Sequence, residues 1–319
     1  MIPRRAGRAP GPSRIWETSG VSVIAVVGPT ASGKSDLALN LAERLGGEIV
    51  NADAMQLYRS MDIGTAKSPV GERRGIAHHQ LDVLDVREEA SVAAYQREAR
   101  LDVAGIRARR RRAILVGGSG LYLRAALDRL EIPPTDPAVR ARLESELAAV
   151  GIEAMQLRLQ RADPVAAKAI QPKNERRIVR ALEVIELTGR PFSATLPTRE
   201  YQLPTVMLGL LVPRPELDLR IGARVHQMWE AGLLDEVRRL DAAGLREGRT
   251  AAKALGYRQA LAHLDGILSA EQAIEDMITS TRRFARRQES WFRPDPRIRW
   301  LGYDDPRLTD RALEIIDAT

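Results

Sequence analysis

The sequence predicts an α/β fold: a parallel sheet with flanking helices, carrying a helical insertion. Three observations predict it. A short, continuous apolar run at 23–27 leads into a glycine-rich turn and then a helical repeat, as expected where a strand buried on both faces feeds a crossover helix. Strand and helix patterns then alternate through residue 116, and such alternation builds parallel sheets with right-handed crossovers. From residue 136 to 200 the strand signal stops and helix starts follow one another. The expected organisation is a core of 21–135 and 201–319, a helical insertion domain at 136–200 and a disordered extension at 1–20.

Residues 1–20 are rich in Pro, Gly and Arg and lack the apolar middle of a secretory signal. After the first strand, Leu37, Leu41 and Leu45 recur at i+4 beside Ala38 and Ala42, marking a helix that Gly46 and Gly47 stop. Residues 48–50 read as a second strand ending in Asn51, Ala52 and Asp53. A helix over 89–108 leads to a strand at 113–116 and then to GGSG. In the insertion, Asp136-Pro137, Asp163-Pro164 and Asn174 look like capped helix starts, and Gly189 with Pro191 closes the last helix. Ile178, Leu182 and Ile185 are spaced to face that segment's own core. Strand character returns at 206–212; helices are expected at 216–243 and 270–292, and a last strand at 298–303. Leu217, Ile221 and Val225 form the buried stripe of the first of these helices, and Ser269 with Gln272 a capping box for the second.

Composition narrows the function. At 319 residues, 44% hydrophobic and 29% charged, the chain is an ordinary globular protein with length for a sizeable core. No stretch approaches the ~18 apolar residues of a membrane span, so no membrane partner is expected. The absence of cysteine excludes a disulfide scaffold, cysteine-ligated zinc, an iron–sulfur cluster and a cysteine nucleophile. Cytoplasm is the default compartment and monomer the default state. His78 and His79 have no metal-ligand spacing with His226 or His263, so all four are expected to be structural or surface residues. The net charge is +7, of which residues 1–20 supply +3, and 44 of the 49 basic residues are Arg. An Arg-dominated surface suits phosphate recognition, because guanidinium grips phosphate oxygens in bidentate geometry.

Gly28, Pro29, Thr30, Ala31, Ser32, Gly33, Lys34 and Ser35 match G-x-x-x-x-G-K-[ST], a P-loop, between a strand and a helix. The glycines allow a tight loop whose N–H groups converge on an anion, and the helix N-terminus adds its dipole. Lys34 places an ammonium beside bridging phosphates, and the Ser35 hydroxyl suits Mg²⁺. The fold is therefore expected to be P-loop NTPase-like. The NKxD signature of guanine-specific GTPases is absent, as is an apolar strand ending in Asp-Glu, which leaves kinase-like transferases and their relatives.

Asp53 follows a parallel strand, on the sheet edge where ligands gather. It can bind Mg²⁺ through water or accept a proton from a nucleophile; alternatively it caps a helix at 54–60. Ser119 shares that edge. Arg107 and the arginines at 109–112 precede the strand at 113–116, which puts them at the opposite edge as a solvated helix end. Arg282, Arg283, Arg286 and Arg287 have i+4 pairs and are followed by Trp291, Phe292 and Arg293. The arginines, Arg283 and Arg287 among them, suit RNA phosphates, while the aromatics are expected in the core. Lys173, Arg176, Arg177 and Arg180 form a second patch. Arg220 and Arg224 flank the buried stripe, and Arg220 reads as a structural surface residue.

The strings GPTASGKS, NADAMQLYRSMDIGTAK, LVGGSGLYLRAAL, RRIVRALEV, AKALGYRQA and RRFARRQESWFR occur in this order. Together they resemble the bacterial tRNA dimethylallyltransferases, also called tRNA isopentenyltransferases, from about residue 23 to about residue 300. The resemblance implies transfer of a dimethylallyl group from its diphosphate to the exocyclic amine of the adenosine next to the 3′ side of the anticodon. The partners it implies are the tRNA anticodon stem-loop and dimethylallyl diphosphate, with the P-loop holding that diphosphate rather than necessarily ATP, and Mg²⁺ the cofactor, on Ser35. By resemblance Asp53 is the general base, Thr30 lies near the reacting carbon and bridging oxygen, and Arg224 serves donor phosphate and catalysis. The implied tRNA contacts are Asp53, Ala54, Met55, Gln56, Ser119, Arg140, Arg176, Arg177, Arg180, Lys253, Gly256, Tyr257, Arg258 and Gln259. Ser35 replaces the commoner Thr, and Asn51 and Ala54 stand where Ser is frequent. Two other readings of the same residues are a small-molecule kinase of the nucleotide-kinase type, with Asp53 as base for a hydroxyl acceptor, and an RNA-stimulated ATPase.

Overall fold

In the computed structural model, residues 21–195 and 199–319 are described, and the extension expected at 1–20 lies outside them. The core unit runs to Leu127 and resumes at Leu203. Its strands are β1 (Val23–Val27), β2 (Glu48–Asn51), β3 (His78–His79), β4 (Ala113–Gly117), β5 (Thr205–Leu211) and β6 (Ile298–Gly302). They form one parallel sheet in the order β3-β2-β4-β1-β5-β6. Every residue of β1 is buried, as a central strand between two helical layers must be.

Helices α1 (Lys34–Leu45), α2 (Val92–Ala108) and α3 (Gly120–Leu127) connect the first strands. Ile24, Val26 and Ile114 of the sheet pack with Leu37 and Leu41 of α1 and with Ala312 and Ile316 of the last helix. A second cluster gathers Tyr58, Met61, Val225, Leu233, Tyr257 and Met277. The helix expected at 216–243 is two helices, α7 (Arg214–Glu230) and α8 (Leu233–Ala242). The break falls at Gly232, whose φ of 96° only glycine adopts cheaply. Leu217, Ile221 and Val225 are buried as expected. Next come α9 (Tyr257–Leu264), α10 (Ala270–Phe292) and, beyond β6, α11 (Leu308–Asp317). Ser269 and Gln272 do form the capping box of α10.

The second unit is Asp128–Gln202, wider than the predicted 136–200. It holds α4 (Pro137–Ala162), α5 (Pro164–Ala169) and α6 (Glu175–Thr188). Asp136, Asp163 and Asn174 cap them through side-chain oxygens, and Gly189 ends α6 in the left-handed region. Gly151, at φ 81°, breaks α4. Leu143, Leu159, Ile178 and Leu182 form this unit's core, with Ile185 at its margin.

Two expectations fail for physical reasons. Arg112 is not solvated: it is 7% exposed and its guanidinium bonds the Val21 carbonyl, while Arg109 and Arg111 pair with the buried Glu48 at the start of β2. Trp291 is not in the core. It is 45% exposed and lies against Gly120, where any Cβ would collide with its indole; Phe292, by contrast, is buried. No helix among the described residues is long and apolar enough to cross a membrane.

Candidate active site

Strand register builds one edge of the sheet into a site. Val27 lies beside Gly117, and Asn51 beside Val116. The loops leaving β1, β2 and β4 therefore emerge side by side, bringing the P-loop, Asp53 and Ser119 together. Asn51 secures the middle loop: its amide nitrogen donates to the carbonyls of Asp53 and Gln80, and its amide oxygen accepts from the Asp53 N–H, each at 2.9 Å. Asp53 also caps a short 3₁₀ helix, Ala54–Leu57, by accepting from the Met55 N–H at 3.0 Å. The capping alternative is thus real, but the carboxylate faces a cavity as well.

The P-loop holds its shape by contacts at both ends. Gly33 has φ 89° and Ala31 φ 63°; for a non-glycine residue that conformation costs of order 1–3 kcal/mol and persists only where neighbours enforce it. One neighbour is Arg220, which donates to the Ala31 carbonyl at 3.3 Å and stacks over Tyr303. Arg220 is therefore a supporting residue of the site, not a plain surface arginine. A second is Gln288, which lies in the string RRFARRQESWFR but to which the resemblance assigns no role: its amide oxygen accepts from the Thr30 N–H at 2.9 Å, and its nitrogen donates to the Gly118 carbonyl at 3.0 Å.

Lys34 donates to the Pro29 carbonyl at 3.3 Å. Desolvation pushes its ammonium down to about 8; Asp53 opposes that shift and Arg224 adds to it. Burial likewise lowers the Arg224 guanidinium. Two half-desolvated cations sharing a site are costly without an anion between them. The buried Ser32 hydroxyl has no hydrogen-bond partner among the described residues, which again suits an arriving phosphate oxygen. The described residues hold no group of three His, Cys, Asp or Glu that could cage a metal. The exposed Ser35 hydroxyl, on the same cavity wall as Lys34, therefore fits an ion that draws its other ligands from diphosphate and water.

Two cavities meet here. One, of about 670 Å³, is lined by residues 31–36, Lys67, Arg73 and Arg224. The other, of about 470 Å³, is lined by Thr30, Asp53, Ser119 and Arg224 on its polar side. Val225, Met228, Leu255, Met277 and Phe284 form its apolar wall, with Lys253, Arg258 and Arg287 also lining it. Ala66, Arg224 and Met228 belong to both cavities. An anion hole thus adjoins an apolar chamber that contains a carboxylate.

Residues 56–295 match the IPP transferase family. The chain belongs to that family. It is 58% identical to a tRNA dimethylallyltransferase of a Nocardioides species over 98% of this chain and 99% of that one. It is 60% identical to the tRNA dimethylallyltransferase of Thermobifida fusca, over 92% and 94% of the two chains. Among solved structures, the full-length tRNA isopentenylpyrophosphate transferase of Bacillus halodurans superposes with a TM-score of 0.67 at 39% identity, covering 93% of this chain and 94% of that one. A eukaryotic dimethylallyltransferase solved acting on tRNA superposes at 0.80 and 29% identity, covering 91% and 77%. The P-loop NTPase-like fold is that of these neighbours.

Not every residue that the sequence nominated reaches this IPP transferase's cavities. Thr30, Asp53, Ala54, Met55, Ser119, Lys253, Arg258 and Arg287 line the smaller one. Gln56 instead donates to the Thr65 carbonyl at 3.1 Å, and Arg283 is exposed on α10. Tyr257 and Gln259 are buried and internal: Tyr257 donates to Glu236 and Gln259 to Asp276. Both side chains are spent on these internal bonds. Gly256, at φ 89°, supplies a tight start to α9 against Met277. In the second unit Arg140 and Arg180 both pair with the buried Glu183, and Arg180 also bonds the carbonyls of Pro133 and Pro134. Arg176 and Arg177 are exposed.

The Lys34 value carries a prediction. Its ammonium is charged below about 8 and neutral above, so the attraction for diphosphate is present at neutral pH and fades as the pH rises. Raising the pH from about 7 to about 9 should raise KM for the diphosphate donor, and Lys34→Arg, whose guanidinium stays charged, should flatten that rise. A wild-type donor KM that is constant across this range would refute the assignment.

Proposed function

We propose that this IPP transferase is a tRNA dimethylallyltransferase, transferring a dimethylallyl group from dimethylallyl diphosphate to the exocyclic amine of the adenosine adjacent to the 3′ side of the anticodon, as a cytoplasmic monomer. One observation carries the reading: the P-loop anion hole and the Asp53 carboxylate border the same apolar chamber. A prenyl chain fits such a wall, and its diphosphate fits the loop.

In the reaction the allylic carbon–oxygen bond breaks and a carbon–nitrogen bond forms, the amine proton passes to Asp53 and diphosphate departs. The P-loop N–H groups, Lys34 and Arg224 hold the departing charge, an electrostatic task in a partly desolvated site. Mg²⁺ on Ser35 would neutralise part of that charge. Adenine's amine is a weak nucleophile, and a carboxylate that accepts its proton as the bond forms contributes typically ~10²–10⁴-fold. The base must leave its stack, which costs least in a single-stranded loop. On the core unit, exposed Arg283 with the cavity-lining Lys253, Arg258 and Arg287 supplies phosphate contacts for such a loop. The second unit's exposed Arg176 and Arg177 are, taken by themselves, suited to RNA phosphates.

The test incubates the protein with dimethylallyl diphosphate and unmodified tRNA, then digests the RNA for nucleoside mass analysis. Prenylated adenosine is the expected product. Unmodified tRNA there, with ATP consumed in a parallel incubation with a small hydroxyl acceptor, would instead favour the kinase reading.

A further inference from the structure

Gln288 lies on α10, the helix whose Arg287 lines the cavity, yet Gln288 itself is 5% exposed and points into the sheet edge. It joins the P-loop, through the Thr30 N–H, to the GGSG loop, through the Gly118 carbonyl. Its partners are 258 and 170 residues away in sequence. The two bonds also fix the amide's orientation, because only the oxygen can accept from an N–H and only the nitrogen can donate to a carbonyl.

We propose that Gln288 is a positioning residue for prenyl transfer: it sets Thr30, at the anion hole, and Ser119, at the chamber, in register with each other. The inference rests on the prenyltransferase reading and deepens it. Three features carry it. The Thr30 N–H is one of the P-loop amides, and Gln288 occupies it as a hydrogen-bond acceptor. Gly118 has no room for a side chain, since a Cβ there would collide with Gln288 Nε2 and stand 3.2 Å from the Gly28 carbonyl. A buried amide with both ends satisfied is rigid, whereas one left half-satisfied is penalised. The two glycine loops therefore meet through one side chain, and that side chain belongs to the helix that offers arginines to RNA.

A displacement of about 1 Å at a reacting group can cost ~10²-fold in rate, so the register matters more to turnover than to binding. The test measures kcat, KM for dimethylallyl diphosphate and the Kd for tRNA in the full chain, with kcat expressed per tRNA-binding site so that an unfolded fraction does not count. Gln288→Met keeps length and volume and removes both bonds. It is expected to lower kcat by ~10–10²-fold with tRNA Kd nearly unchanged. Gly118→Ala displaces the same amide from the other side and should reproduce the kcat loss, while the double variant should be no worse than Gln288→Met alone, as coupled residues require. If wild type prenylates tRNA and both single variants keep wild-type kcat per site, the inference falls and the prenyltransferase reading stands. The inference also falls if the two losses simply multiply. If wild type makes no prenylated adenosine, the reading beneath it falls first.

Discussion

Replacing Asp53 with Ala is expected to lower prenyl transfer at least ~10²-fold while tRNA affinity stays close to wild type. The difficulty is that Asp53 has a second occupation. Its Oδ1 caps the 3₁₀ helix Ala54–Leu57 through the Met55 N–H, and losing a cap costs typically ~1 kcal/mol. Met55 also lines the cavity, so a frayed turn could by itself slow the reaction. The backbone of Asp53 is nevertheless held from both sides by Asn51, which keeps the loop in place when the cap is gone. Asp53→Asn then separates the roles. Its amide oxygen caps the turn as well as a carboxylate does, but it cannot take a proton. Turnover in Asp53→Asn should therefore fall about as far as in Asp53→Ala, measured as single-turnover prenylation with both substrates saturating. An Asn variant close to wild-type turnover, beside a crippled Ala variant, would assign Asp53 to the cap and leave the base to be found elsewhere.

What the sequence revealed of this site is what is local in the chain. The P-loop, the carboxylate after β2 and the glycines after β4 each announce themselves within a few residues, and the rule that parallel strands gather ligands at one edge was enough to put them together. Residues that act across distance left no such mark. Gln288 sits among arginines in a basic stretch, and its partners are two glycine loops far upstream. Lys67 reads as one more charge, yet it is buried between Asp62 and Asp82, donating also to the Tyr58 carbonyl. Orientation was equally hidden. Within the stretch 253–259, Lys253 and Arg258 line the cavity while Tyr257 and Gln259 are turned inward. A contiguous motif therefore mixes residues that meet substrate with residues that hold the first kind in place. Resemblance transfers the whole motif, and only packing sorts it. The α7–α8 break shows the same limit in the backbone: the apolar stripe continues through 216–243, and only the left-handed Gly232 divides it.

The second large effect is expected at Glu236, which no motif reading singled out. The residue is 3% exposed, and its two carboxylate oxygens accept four bonds, from the N–H groups of Asp62, Ile63 and Gly64 and from the Tyr257 hydroxyl. Burial, reinforced by this carboxylate, pushes the Tyr257 phenol well above its ordinary range, so it stays a donor at every working pH. The loop so anchored carries Gly64, Thr65 and Ala66 into one cavity and Ile63, Ala66 and Lys67 into the other. Gly64 is itself pressed against the Tyr257 ring, where no Cβ fits. A buried group left without its partner costs about 1–3 kcal/mol, so Glu236→Ala, which takes the acceptor from one buried hydroxyl and three half-buried N–H groups, should lose at least about 3 kcal/mol of stability. That is a large share of the 5–15 kcal/mol of an ordinary domain. Glu236→Gln keeps one accepting oxygen and turns an NH₂ group toward donors at the other, so it should fall between Ala and wild type. Tyr257→Phe removes one bond only and should cost about 1 kcal/mol. Denaturant midpoints at constant slope measure all three, and the folded fraction of each variant should show a raised donor KM, because the loop borders the phosphate cavity. If Glu236→Ala lost no more than Tyr257→Phe, water would be satisfying the three N–H groups, and the loop would owe its shape to the Lys67 ion pairs instead.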